Sequence, residues 1–115
     1  MRRGEIRWVD FDPAHGSETD KRRPAVLVSN DGANLTADRL GRGVVTVVPV
    51  TSNVTRVFPF QVPLPASVCG LRMDSKAQAE QVRSVDVRRV GGQVGALPAP
   101  LMGELDDALR LHLGL

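Results

Sequence analysis

The side chains of Glu18, Arg23, Thr51, Ser52, Glu80, Gln81 and Arg83 are of the types that handle a phosphodiester. Cleaving RNA through its own 2′-hydroxyl requires a base near that hydroxyl, donors that stabilise the negative phosphorane, and a proton for the departing 5′-oxygen. A carboxylate, an arginine and a hydroxyl can cover these roles without a metal. Arg23 has the strongest placement. Residues 15–30 run from a charged polar loop into an apolar strand, and Arg23 stands before Pro24 at the mouth of that strand as a held anion receptor. Residue types alone leave other readings open: Arg23 as a surface cation, and Thr51 as a strand cap.

Other chemistries fit less well. His15 and His112 are remote in sequence, and no His-Glu-x-x-His or paired-cysteine motif is present, so no metal site and no cofactor are expected. His112 falls on the apolar side of a terminal helical pattern and reads as structural. Cys69 has no histidine close in sequence, which argues against a catalytic thiol. Gly91-Gly92 lacks the lysine and hydroxyl of a phosphate-cradling loop.

The elements that must position Arg23 and Thr51 are short strands. Residues 5–11 alternate as a half-buried strand, with Ile6 and Trp8 on one face, until Asp12-Pro13 stops it. Pro24 opens a nearly continuous apolar run to Ser29, of the kind buried on both faces. A helical turn is expected at 34–40, then the strongest strand, Val44 to Val50, ending in Thr51-Ser52-Asn53. Residues 57–64 read as an edge strand because of prolines 59, 63 and 65, and a turn at Cys69-Gly70 leads into a strand over 75–82. Residues 84–88 read as a turn or helical coil and 91–97 as a last strand. From Pro100 onward, Leu101, Leu105, Ala108, Leu109, His112 and Leu113 recur at helical spacing.

A chain of 115 residues is expected to be one domain, long enough to bury a core without staples. The single cysteine excludes an intramolecular disulfide and fits a reducing cytoplasm. No signal peptide or membrane-spanning stretch is visible, which predicts a cytoplasmic protein with no membrane partner. A net charge of +2 and a pI near 9.3 lean toward polyanions. With no tyrosine, one tryptophan and three phenylalanines, a nucleic acid would be held mostly by arginine, backbone and hydroxyl groups.

Three blocks give the chain a resemblance to the MazF (PemK-like) toxins. They are Gly4 to Pro13 with Gly16-Ser17-Glu18 and Arg23 to Ser29; Val48-Pro49-Val50-Thr51-Ser52 with Phe58-Pro59-Phe60; and Ala79-Glu80-Gln81-Val82-Arg83-Ser84. Their order and spacing match over most of residues 1–115, which is more specific than any one motif. The resemblance implies a sequence-specific, metal-independent endoribonuclease (mRNA interferase) that cuts single-stranded RNA, whether mRNA, rRNA or tRNA. It implies a cognate antitoxin with an acidic, poorly ordered tail, and a homodimer.

It also implies that Arg23 and Thr51 are the catalytic pair, joined by Glu18, with Ser52, Arg56, Gln81 and Arg83 as RNA-binding residues. The loops 30–43 and 51–57 vary in such proteins and are expected to set the bases read. Arg7 departs from the usual apolar or aromatic residue before the tryptophan. The expected fold is mainly β: an SH3-like, strongly curved antiparallel sheet with a C-terminal helix, its core drawn from Val26, Val28, Val45, Val47, Leu64 and Val82. Two alternatives stay open. A CcdB-like gyrase poison uses a tryptophan close to its carboxyl terminus, whereas here the only tryptophan is Trp8. A non-catalytic SH3-like module that binds RNA or peptide is the other, and a cleavage assay separates it from an endoribonuclease.

Overall fold

A computed structural model describes residues 1–11 and 22–115. Its centre is the eight-residue strand β3 (Val44–Thr51), whose run of valines suits a pleated surface buried on both faces. Along one edge β3 pairs with β2 (Arg22–Leu27), which pairs in turn with β1 (Glu5–Asp10), and β1 with β7 (Val90–Ala96). Two strands share the other edge of β3. β6 (Arg83–Asp86) takes Val44 to Val47, and β5 (Ser75–Gln78) takes Val50 and Thr51. A single 3-10 turn at Ala79–Gln81 makes the step between them. β4 (Gln61–Leu64) lies on the far side of β5, and every pairing is antiparallel.

Alternation along β3 sends Val48 and Val50 to one face and Val45 and Val47 to the other. The first face packs with Ile6, Val26, Leu64 and Ala77 beneath α3 (Ala99–Leu113), whose Leu105 and Ala108 are buried in it. The second packs with Val9, Phe11, Ala25 and Leu27 beneath Ala37 of α1 (Asp31–Leu40). Polar groups fix α1 in place. Asn30 caps it by accepting from the Ala33 N–H at 2.8 Å, and Gly41 ends it in the left-handed region at φ 66. The fully buried Asn34 bonds Ser29, whose Oγ also accepts from the Thr46 amide of β3 at 3.0 Å.

This is the antiparallel, mainly β architecture with a terminal helix that the sequence predicts, with several local corrections. The core has two layers rather than one, and Val28 and Val82 are only half-buried at the margin of the α3 layer. β2 begins at Arg22 rather than Pro24 and ends at Leu27, because Val28 and Ser29 bond the Thr46 carbonyl outside the ladder. β4 starts at Gln61, so 57–60 are loop. The strand expected over 75–82 breaks at Ala79, and 83–86 are strand, followed by a second 3-10 turn, Val87–Arg89. α1 is a full helix, and Cys69-Gly70 closes the short α2 (Ala66–Cys69). His112 is exposed rather than packed, since the end of α3 carries Leu111 and Leu113 out into solvent as well. No helix among the described residues is long and apolar enough to cross a membrane.

Candidate active site

The pairing of β2 with β3 sets Ala25 opposite Pro49 and Val26 opposite Val48. Continued by two residues, the same register sets Arg23 opposite Thr51, and directly opposed residues share a face. That face is fixed independently by β1, where Arg23 pairs with the buried Val9. Arg83, paired with Val47 across the other edge of β3, faces the same way, and its guanidinium lies 5.4 Å from the Phe11 ring centroid. Arg23, Thr51 and Arg83 thus lie on one face of the sheet. Thr51 ends β3 and Arg23 stands near the start of β2, whereas Arg83 lies beside the middle of β3, opposite Val47. Arg23 and Arg83 are exposed and Thr51 half-buried.

Thr51 Oγ1 accepts from the Asn53 amide at 3.2 Å, so its own proton is left to donate. Ser52 and Arg56 follow in the exposed loop between β3 and β4, where the Arg56 guanidinium stands 5.7 Å from the Phe58 ring. Phe58 stacks on Phe60 at 5.4 Å. Gln81 is exposed on the 3-10 turn that separates β5 from β6. The pairing of strands therefore places the Ser52 loop at the end of β3 and the Gln81–Arg83 segment along its edge, with Arg83 opposite Val47. Glu18 lies outside the described residues.

Two features were not read from the sequence. Lys76 is the pairing partner of Thr51 on β5, and it is buried, its Nζ donating to the Arg56 carbonyl at 2.5 Å. Gln61 is also buried. Its Nε2 donates to Glu80 Oε2 at 2.6 Å, and its Oε1 accepts from the Phe58 amide at 3.1 Å. Glu80 Oε1 is buried without a partner among the described residues. The only sign of Lys76 in the sequence is a lysine beside small residues in the strand expected over 75–82.

Arg7 is accounted for by the sheet. It pairs with Glu5 at 2.9 Å and donates to the Gly91 carbonyl at 3.1 Å, where the register of β1 against β7 slips. Among the described residues, no three of His, Cys, Asp and Glu come together in a metal-holding group.

The family described as PemK-like, MazF-like toxins of type II toxin–antitoxin systems matches residues 2–113. Endoribonuclease MazF9 of Mycobacterium tuberculosis is 60% identical over 115 residues, covering 100% of this chain and 98% of the relative. Among solved structures, a MazE–MazF structure from Deinococcus radiodurans superposes with a TM-score of 0.75 at 30% identity, covering 100% of this chain and 97% of the other. An endoribonuclease in complex with its cognate antitoxin, from a mycobacterial species, shares the fold, with a TM-score of 0.77 at 21% identity over 100% and 96% of the two chains.

Proposed function

The chain belongs to the PemK-like, MazF-like toxins of type II toxin–antitoxin systems, and from that premise we propose that it cuts single-stranded RNA at a short sequence by attack of the RNA's own 2′-hydroxyl, with no metal taking part. It is an endoribonuclease, as is its relative MazF9, which matches it along its whole length. The observation that supports our assignment of the site is the β2–β3 register, which, extended two residues past its last pair, sets Arg23 opposite Thr51, with Arg83 on the same face of the sheet.

In this scheme Glu18 takes the proton of the 2′-hydroxyl, and the 2′-oxygen bonds to phosphorus. The fork of Arg23 grips two phosphate oxygens as negative charge builds on them, and Thr51 donates its hydroxyl proton to one of them. The bond to the 5′-oxygen breaks, and that oxygen takes a proton from solvent, because a guanidinium holds its own too tightly. The products are a 2′,3′-cyclic phosphate and a 5′-hydroxyl. Ser52, Arg56, Gln81 and Arg83 hold the flanking nucleotides. The substrate locates the enzyme in the cytoplasm, with mRNA the first candidate and rRNA or tRNA further ones.

The inhibitor is a separately encoded antitoxin whose acidic tail lies across the same arginines, an attraction that weakens with salt. The protein works as a homodimer, a reading supported by Leu111 and Leu113, which are 60% and 53% exposed at the end of α3. Mass spectrometry of the cleaved RNA ends tests the chemistry: a cyclic phosphate is expected, and a 5′-phosphate at the cut would overturn it.

A further inference from the structure

The loop from Ser52 to Phe60 makes no ladder with any neighbouring strand. Its first bonds are local, from the Asn53 amide to Thr51 Oγ1 and from the Thr55 amide to Asn53 Oδ1. At its end, Phe58 exchanges bonds with Gln61. Between these, the polar contact from outside among the described residues is Lys76 Nζ on the Arg56 carbonyl.

Packing does not replace that contact, because an open groove of about 220 Å³ lies between Val54 and Val57 of the loop and Pro63 and Leu64 of β4, and both valines are exposed. Side chains that face an open groove have few partner atoms. The side chain of Lys76 is in turn 7% exposed as a residue and has no carboxylate partner among the described residues. Among the described residues, its head group is satisfied by the Arg56 carbonyl that the loop holds over it.

We propose that Lys76 is a positioning residue for sequence choice: by holding the Arg56 carbonyl it fixes the 52–60 loop in the one shape that reads bases beside Thr51. The Glu80–Gln61 pair supports the same loop at its second end, since the Glu80 carboxylate orients the Gln61 amide so that its oxygen faces the Phe58 N–H. Lys76 touches no reacting atom in this account. It acts through the loop, and the inference rests on the RNA-cleaving reading of the site.

Lys76→Met keeps the aliphatic stem and removes the donor. In the purified toxin, hydrogen exchange at the amides of 56–58 is expected to speed up, a measurement that requires no cleavage and decides the tether by itself. In cleavage of an RNA pool read by sequencing, the ratio of kcat/KM for the preferred sequence to that for sequences one base away is expected to narrow about tenfold, the effect of losing one hydrogen bond to a charged group. A residue that only stabilised the fold would lower both rates alike and leave the ratio intact. Unchanged exchange, or an unchanged ratio in a folded variant, overturns the proposal. Lys76→Gln, still polar but too short to reach, serves if the Met variant fails to fold. A wild-type protein that cuts no RNA contradicts the proposed function instead, and is recognised before any variant is compared.

Discussion

Arg23 and Thr51 depend on different properties of their side chains, so their substitutions should fail in different ways. Arg23→Lys keeps the charge and loses the planar fork, and single-turnover cleavage should fall by about a hundredfold or more, as when one preorganised donor is removed, with the far-ultraviolet dichroism unchanged. Thr51→Ala should lose a similar factor and also free the Asn53 amide. Wild-type rates in either variant would remove that residue from the site. Cys69, 2% exposed, has its thiol pushed up by burial. It should resist alkylation in the folded protein and react on denaturation; prompt labelling under native conditions would contradict the packing described.

Arg23 and Thr51 were picked out by the likeness of their blocks to the family's, since residue types alone left Arg23 readable as a surface cation and Thr51 as a strand cap. Lys76 and Gln61 were not, since their meaning depends on which strand lies beside them. Glu18 falls outside the described residues, so its role as base rests on the likeness of its loop to the family's.

At the level of elements, long or strongly apolar segments were the readable ones. β3 and α3 followed from pattern alone, whereas β4, β5 and β6 are four residues each, too short for alternation to separate a strand from a turn. The break at Ala79 exists because β5 and β6 divide the edge of β3, a long-range fact. β7 shows how closely such pieces fit. A Cβ built on Gly95 would stand 2.0 Å from the Cys69 carbonyl oxygen of α2, a backbone atom that cannot swing aside. Gly95→Ala should therefore cost about 1–3 kcal/mol, read as a lower denaturant midpoint, and an unchanged midpoint would contradict that contact.

Asp86 offers a pH test at the end of β6. The hydrogen bonds from the Arg88 side chain and amide hold its carboxyl down to about 2, below the ordinary 3.8. A lowered folded-state value means that its contribution is present above 3.8 and is lost as the pH falls toward about 2. The melting temperatures of wild type and Asp86→Asn should accordingly converge over that interval; a constant gap would contradict the pairing.

In the whole molecule, a sheet that carries Arg23, Thr51 and Arg83 on one face is joined to a helix whose end leaves Leu111 and Leu113 exposed. The dimer should survive at micromolar concentration in light scattering, and replacing Leu111 and Leu113 with polar residues should dissociate it; a monomeric wild type would contradict this. RNA affinity should fall with salt, with a slope of about 0.7 per phosphate neutralised. Removing the charges of Arg56 and Arg83 together should lower the slope by about 1.4, and an unchanged slope would free both from the RNA. The proposed mechanism turns on the RNA's own 2′-hydroxyl, with no metal taking part. Its most direct test is an RNA of mixed sequence incubated with the purified toxin and a chelator, beside the same sequence carrying 2′-deoxy sugars. The RNA should be cut at a short sequence and the deoxy strand not at all. Cutting that requires added magnesium, or that persists on the deoxy substrate, would contradict that mechanism.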